Sequence, residues 1–143
     1  MTALRRFALI FGIVFLLVGV AGFVPALTTP HTHADVVMTS GMALLFGLFP
    51  VNLLHNLAHV LFGVWGLFAA KSDNAARLYG QVVAIGYGLL TIMGLVTAMN
   101  LHTAFGFIPL YGHDVWLHAA LAVVAAYFGF MHEREMPVPS KRL

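Results

Sequence analysis

Residues 51–70 read VNLLHNLAHVLFGVWGLFAA. The stretch matches the roughly 20 apolar residues needed to cross a bilayer, and it holds no charged side chain. Its first half nevertheless carries Asn52, His55, Asn56 and His59. At about 100° per residue these four fall on one narrow helix face, which Gly63 and Gly66 continue. The remainder is Leu, Val, Phe, Ala and Trp. A polar seam on such a helix is costly in lipid unless it faces protein, and it marks a functional site by default. The stretch therefore predicts a membrane helix with an inward-turned polar stripe.

The rest of the chain has the same character. Of 143 residues, 61% are apolar and 8% charged, where soluble domains carry about 25% charged residues. No Asp, Glu, Lys or Arg occurs in residues 7–34, 36–70, 78–113 or 115–132. These windows predict one domain over residues 1–143, an all-α integral membrane four-helix bundle. Its spans are expected near residues 7–27, 51–70, 78–99 and 114–131, with outer loops 28–50 and 100–113. The absence of Cys excludes disulfides and thiolate metal sites. A formal net charge of only +2 argues against nucleic acid as a partner.

Arg5-Arg6 followed by an apolar run resembles a signal peptide, but the run exceeds the usual h-region of about 7–15 residues. An uncleaved first span is expected, the alternative being cleavage near Ala26. Residues 38–49 are apolar but short and interrupted by Gly41 and Gly47, which predicts a segment lying at the membrane surface. Asp73 or Asn74 can cap the third helix, and Asp114 the fourth. The third helix puts Gly80, Ala84, Tyr87, Thr91, Gly94 and Ala98 on one face, suited to close packing or to homo-oligomer and membrane-partner contacts. All seven cations, Arg5, Arg6, Lys71, Arg77, Arg134, Lys141 and Arg142, fall at the termini or in the middle loop. The positive-inside rule then places both termini in the cytoplasm, as expected of a multi-pass protein of a bacterial plasma (inner) membrane.

With that orientation, His55 and His59 lie in the outer half of the second span and His118 about one turn inside the fourth. His55/His59 and Asp114/His118 are i, i+4 pairs, each sharing a helix face. If the polar faces of the two spans meet, His55, His59, Asp114 and His118 converge, a known way for helices to hold a metal. Imidazole suits Zn, Cu and Fe alike. Asn52, Asn56 and His113 are candidate outer partners that orient the ligands. His31-Thr-His33-Ala-Asp35 reads as a solvated loop, or as a place that hands metal inward. Met38, Met42 and Met99 read as apolar filler, with soft ligation of Cu(I) the alternative.

Three segments carry a resemblance: NLLHNLAHVLFGVWG at residues 52–66, ARLYGQVVAIGYGLL at 76–90 and GHDVWLH at 112–118. They resemble the bacterial four-helix membrane family known as domain of unknown function 4383, over roughly residues 44–129. The family pattern falls on Asn52, His55, His59, Gly63, Gly112, His113, Asp114 and His118. The resemblance implies class and topology and brings no chemistry. Agreement is least in the first loop, around His31 and His33.

Three functions follow as expectations. The first is a membrane protein binding a divalent transition metal through His55, His59, Asp114 and His118. The second is a b-type haem protein with His59 and His118 as axial ligands. The third is a cofactor-free structural or partner-binding subunit, its His and Asn serving as interhelical hydrogen-bond glue. Ser40 and Ser72 lie in loops on opposite sides with no triad around them, so catalysis is left open. No internal repeat suggests a transporter.

Overall fold

The computed structural model describes residues 1–132. Arg134, Lys141 and Arg142, and the prolines Pro137 and Pro139, lie outside the described residues. Four helices dominate: α1 (Ala3–Ala21), α2 (Leu53–Ala69), α3 (Asp73–Leu95) and α4 (His113–Ala126), the last extended by one π-helical turn, Tyr127–Met131. The helices starting at Ala3, Asp73 and His113 are long and apolar enough to cross a membrane, and α2 is a shorter apolar helix of 17 residues.

Local chemistry sets the helix starts. Thr2 Oγ1 accepts from the Arg5 amide, Asn52 Oδ1 from the His55 amide, and Ser72 Oγ from the Ala75 amide. Each satisfies one of the free N–H groups of a first turn. Ser72 holds the cap of α3, and Asp73 becomes its first-turn acid, where the helix dipole favours it. Before α4 the chain turns through Gly112 at φ +70°, which places Asp114 inside the first turn. At this basic end Arg5 Nε donates to the Ala70 carbonyl at 2.8 Å, and Thr2 Oγ1 to Asp73 Oδ1 at 2.7 Å.

α1 packs chiefly on α2 and α3 chiefly on α4; further contacts of α3 with α1 and α2 join the pairs. The α1–α2 crossing is backbone on backbone. A Cβ on Gly12 would stand 2.7 Å from Leu67 N, and one on Gly66 would stand 2.6 Å from Gly12 Cα. The small-residue face of α3 is used inside the chain: Gly80 lies against Gly129, and Gly94 against Leu110 and Val115. Thr91 donates to the Tyr87 carbonyl of its own helix at 2.8 Å. Phe7, Phe15, Tyr79, Val83 and Tyr87 fill the centre. Outward, Leu57, Leu61, Val64 and Phe68 on α2 and Leu78, Val82, Ile85, Leu89 and Ile92 on α3 are exposed. That apolar surface recurs every three or four residues, as lipid contact requires.

Tyr79 is fully buried and its hydroxyl donates to the Phe62 carbonyl at 3.2 Å, tying α3 to α2. Tyr79→Phe is expected to cost about 1 kcal/mol and leave the fold intact. A thermal unfolding curve in detergent micelles that does not shift would show the bond contributes nothing.

The opposite end is capped by loops. The first loop holds a small antiparallel sheet of β1 (Thr28–Pro30), β2 (Ala43–Leu45) and β3 (Phe49–Val51), ordered β1-β2-β3. Ala43 pairs with both Pro30 and Val51. The apolar stretch 38–49 thus supplies β2 and the start of β3, adding a small sheet to a mostly helical chain. Pro30 and Pro50 sit in the two edge strands, where a missing N–H is tolerated. Ala43, Leu45 and Val51 pack onto Val18 and Ala21 of α1. A bent second loop, with a 3₁₀ segment Ala98–Thr103, completes the cap.

Candidate metal centre

α2 and α4 both begin at the loop-capped end, so first-turn residues of each meet beneath the cap. His55 stands three residues after the Asn52 cap, Asp114 lies in the first turn of α4, and His118 one turn further on. All three are buried, at 3%, 2% and 1% exposure. One potential ligand atom from each lies within 4.8 Å of those from the other two. Ring centroids of His55 and His118 are 6.0 Å apart. Asp114 Oδ2 is 3.4 Å from His118 Nε2, within ion-pair reach but outside hydrogen-bond geometry. Tyr87 stands edge-on to the His118 ring at 4.8 Å and fixes its plane.

Asp114 Oδ2 and His118 Nδ1 are buried without a hydrogen-bond partner, and His55 Nδ1 makes no bond of good geometry, its ring lying near the Pro50 and Pro109 carbonyls. Buried polar atoms are normally paired, because leaving one unmade costs about 1–3 kcal/mol. Two imidazoles and a carboxylate are a donor set that suits Zn, Cu, Fe and Ni. Three protein ligands would leave a fourth position for water or substrate, as in catalytic zinc sites.

His59 falls outside this group of three. Its Nδ1 bonds the His55 carbonyl at 3.0 Å, its ring stacks on His55 at 4.7 Å, and Phe15 meets it edge-on at 5.6 Å. A bond to that carbonyl makes Nδ1 the donor. Asn52 Nδ2 donates to the carbonyls of Met38, at 3.0 Å, and Phe107, at 2.8 Å, so the side chain fastens both loops to α2. The Asn56 carboxamide fills the space where a Cβ of Gly22 would stand, at the end of α1. His113 is exposed at the start of α4, and Met99 is exposed in the second loop.

A small cavity of about 70 Å³ adjoins His55, His59 and His118, with Phe62, Tyr87 and Leu110 among its walls. A second group of three lies in the cap, His33, Asp35 and His102, again with ligand atoms within 4.8 Å of one another. The i, i+2 spacing of His33 and Asp35 was legible in the sequence. The third member arrives from a loop about 70 residues away, which no local pattern announces.

Among curated proteins and among solved structures nothing matches the chain. A family pattern does, over residues 5–131, which takes in all four helices and both His/Asp groups. The chain belongs to the family described as domain of unknown function (DUF4383).

Proposed function

We propose that this is a single-domain protein crossing a bacterial plasma membrane four times, termini in the cytoplasm, that binds one divalent transition-metal ion through His55, Asp114 and His118 beneath its outer surface. The observation that carries the reading is two imidazoles and a carboxylate from two helices, all buried, with a potential ligand atom of each within 4.8 Å of those of the others. Asp114 and His118 each also keep a buried polar atom without a hydrogen-bond partner. The topology is supported by the clustering of every Lys and Arg near the two termini or around the turn from α2 into α3. It is also supported by the apolar outer faces of α2 and α3. α2 is short, about 25 Å at 1.5 Å per residue, because its polar first turn is covered by the loop cap rather than by lipid.

The cavity size favours a bare ion over haem. About 70 Å³ beside the imidazoles is several-fold below the roughly 300 Å³ at which organic-ligand pockets begin. His59 lies outside the group of three and stacks on the His55 ring, which gives it a supporting role.

The test is Zn²⁺ binding to metal-free full-length protein, purified in micelles with a tag free of histidine. His118→Ala and Asp114→Asn should each lose one bound equivalent, or hold it at least about tenfold more weakly, since even outer partners of a metal are worth about 10–100-fold. His59→Ala should weaken binding less than His118→Ala. If His118→Ala and Asp114→Asn lower the melting temperature but leave Zn²⁺ stoichiometry and affinity unchanged, these groups are interhelical glue and the metal reading fails.

A further inference from the structure

The loop cap is built more tightly than a connection needs. The Val37 and Met38 amides both donate to the Gly106 carbonyl, at 2.8 and 3.0 Å, locking the first loop to the second. Gly106 takes φ +93°, and a Cβ there would stand 2.8 Å from Val37 Cγ2 and 3.3 Å from the Asp35 carbonyl. Only glycine allows the loops to approach so closely. In the second loop Met99, Asn100, Ala104 and Phe105 all have positive φ, between 44° and 60°. Non-glycine residues in that region are strained and persist where surrounding contacts over-determine them. Here those contacts clamp His102: its amide donates to the Val96 carbonyl at 3.1 Å and its carbonyl accepts from Leu110 at 2.9 Å.

The strained loop delivers the His102 ring to the first loop. His102 Nε2 lies 3.3 Å from Asp35 Oδ2, and the His33 ring stands 5.6 Å from the His102 ring, centroid to centroid. The His102 side chain is 9% exposed, and its Nδ1 is buried with no partner. Tyr111 stacks on His33 at 4.3 Å and an interplanar angle of 28°, while its hydroxyl meets His31 Nε2 at 3.1 Å. Tyr111 thereby acts as a shelf for the two imidazoles. The Asp35 amide approaches His33 Nδ1 at 3.3 Å, a weak bond that a cation at that nitrogen would replace. His33, alone of the three, also lines a pocket of about 510 Å³ with His31, Thr32, Val36 and Thr39, and this pocket leads to solvent.

We infer that His33, Asp35 and His102 form a second divalent transition-metal site, solvent-open and held between the two loops. Two imidazole nitrogens and one carboxylate oxygen select first-row transition ions over Ca²⁺ and Mg²⁺, which take oxygen ligands. Three ligands on one side leave the pocket side free for water or for a metal-carrying guest. The site shares no residue with the His55–Asp114–His118 group and stands or falls independently of it.

Zn²⁺ titration of the metal-free full chain separates the two sites. The wild type should bind two equivalents. Asp35→Asn should remove one of them or weaken it at least tenfold, and so should His102→Gln; the exposed His113→Ala should remove none. The Asp35 side chain is 44% exposed, so Asp35→Asn should leave the fold intact, checked by an unchanged melting temperature in the absence of metal. If Asp35→Asn and His102→Gln both keep the wild-type stoichiometry and affinity, the inference is overturned. A single wild-type equivalent abolished by His118→Ala overturns it too. A single equivalent abolished by Asp35→Asn and kept by His118→Ala upholds the loop site and overturns the one beneath it. No bound Zn²⁺ overturns both.

Discussion

Gly63→Val is expected to abolish the folded protein. A Cβ at position 63 would stand 2.6 Å from Leu16 N and 2.8 Å from Leu16 Cα, both backbone atoms that no rotamer change can move. The same crossing brings Gly66 against Gly12, and Gly19 against Val60. The helices can admit a side chain only by moving apart along this whole seam. In a membrane that seam is itself the driving force, because lipid is as apolar as leucine and association rests on close packing. Overpacking typically costs about 1–3 kcal/mol, and more where backbone must shift. Here the cost should exceed about 3 kcal/mol, a large part of a total stability of about 5–15 kcal/mol. Size-exclusion chromatography in detergent should show aggregate in place of the wild-type peak. Gly88→Ala is the control: nothing lies within 4 Å of its added methyl, and helix propensity favours Ala by up to about 1 kcal/mol. Monodisperse Gly63→Val with a wild-type melting temperature would mean that α1 and α2 do not cross as described.

The second large effect is expected of Asn52→Asp, a change that is nearly silent at an ordinary helix cap because the two residues cap equally well. Asn52 is fully buried and uses both ends of its carboxamide. Its oxygen caps α2 through the His55 amide, and its nitrogen donates to the Met38 and Phe107 carbonyls, one from each loop. Aspartate keeps the cap but turns an oxygen toward two carbonyl oxygens. Two part-buried carbonyls lose their donor and face a buried carboxylate instead, each at the lower end of about 1–3 kcal/mol, so the total should be about 3 kcal/mol. Asn52→Asp should therefore be at least as destabilised as Asn52→Ala. Hydrogen exchange should quicken across residues 36–40 and 104–110 before the rest of the chain. Slower exchange in Asn52→Asp than in Asn52→Ala would show that capping, rather than loop fastening, is what the residue supplies.

These two positions mark the boundary between local and distant information. The helices follow from signals within a few residues: charge-free windows and a 3.6-residue period that sets Gly63 and Gly66 on the face of His55 and His59. The caps fall a residue or two from where the sequence puts them: on Ser72 rather than Asp73 or Asn74, and on Gly112 rather than Asp114. The i, i+4 spacing of Asp114 and His118 put that pair on one face before any fold was known. The sheet in the first loop was not legible, since three strands of three residues each are too short to show alternation, and their pairing reaches from Thr28 to Val51.

The grouping of side chains belongs to that distant class as well. Periodicity gives the face a residue occupies but not its rotamer, so His55 and His59 look alike in the sequence. In the fold one joins Asp114 and His118, while the other bonds its own helix. The same holds for Asn52, whose two loop partners lie 14 and 55 residues away in opposite directions along the chain. Helix spacing is written in neighbouring residues because each turn closes on itself. The meeting of His102 with His33 and Asp35 is written in loop backbone, through Gly106 and the strained residues around it, and exists only once the helices have brought both loops to one end.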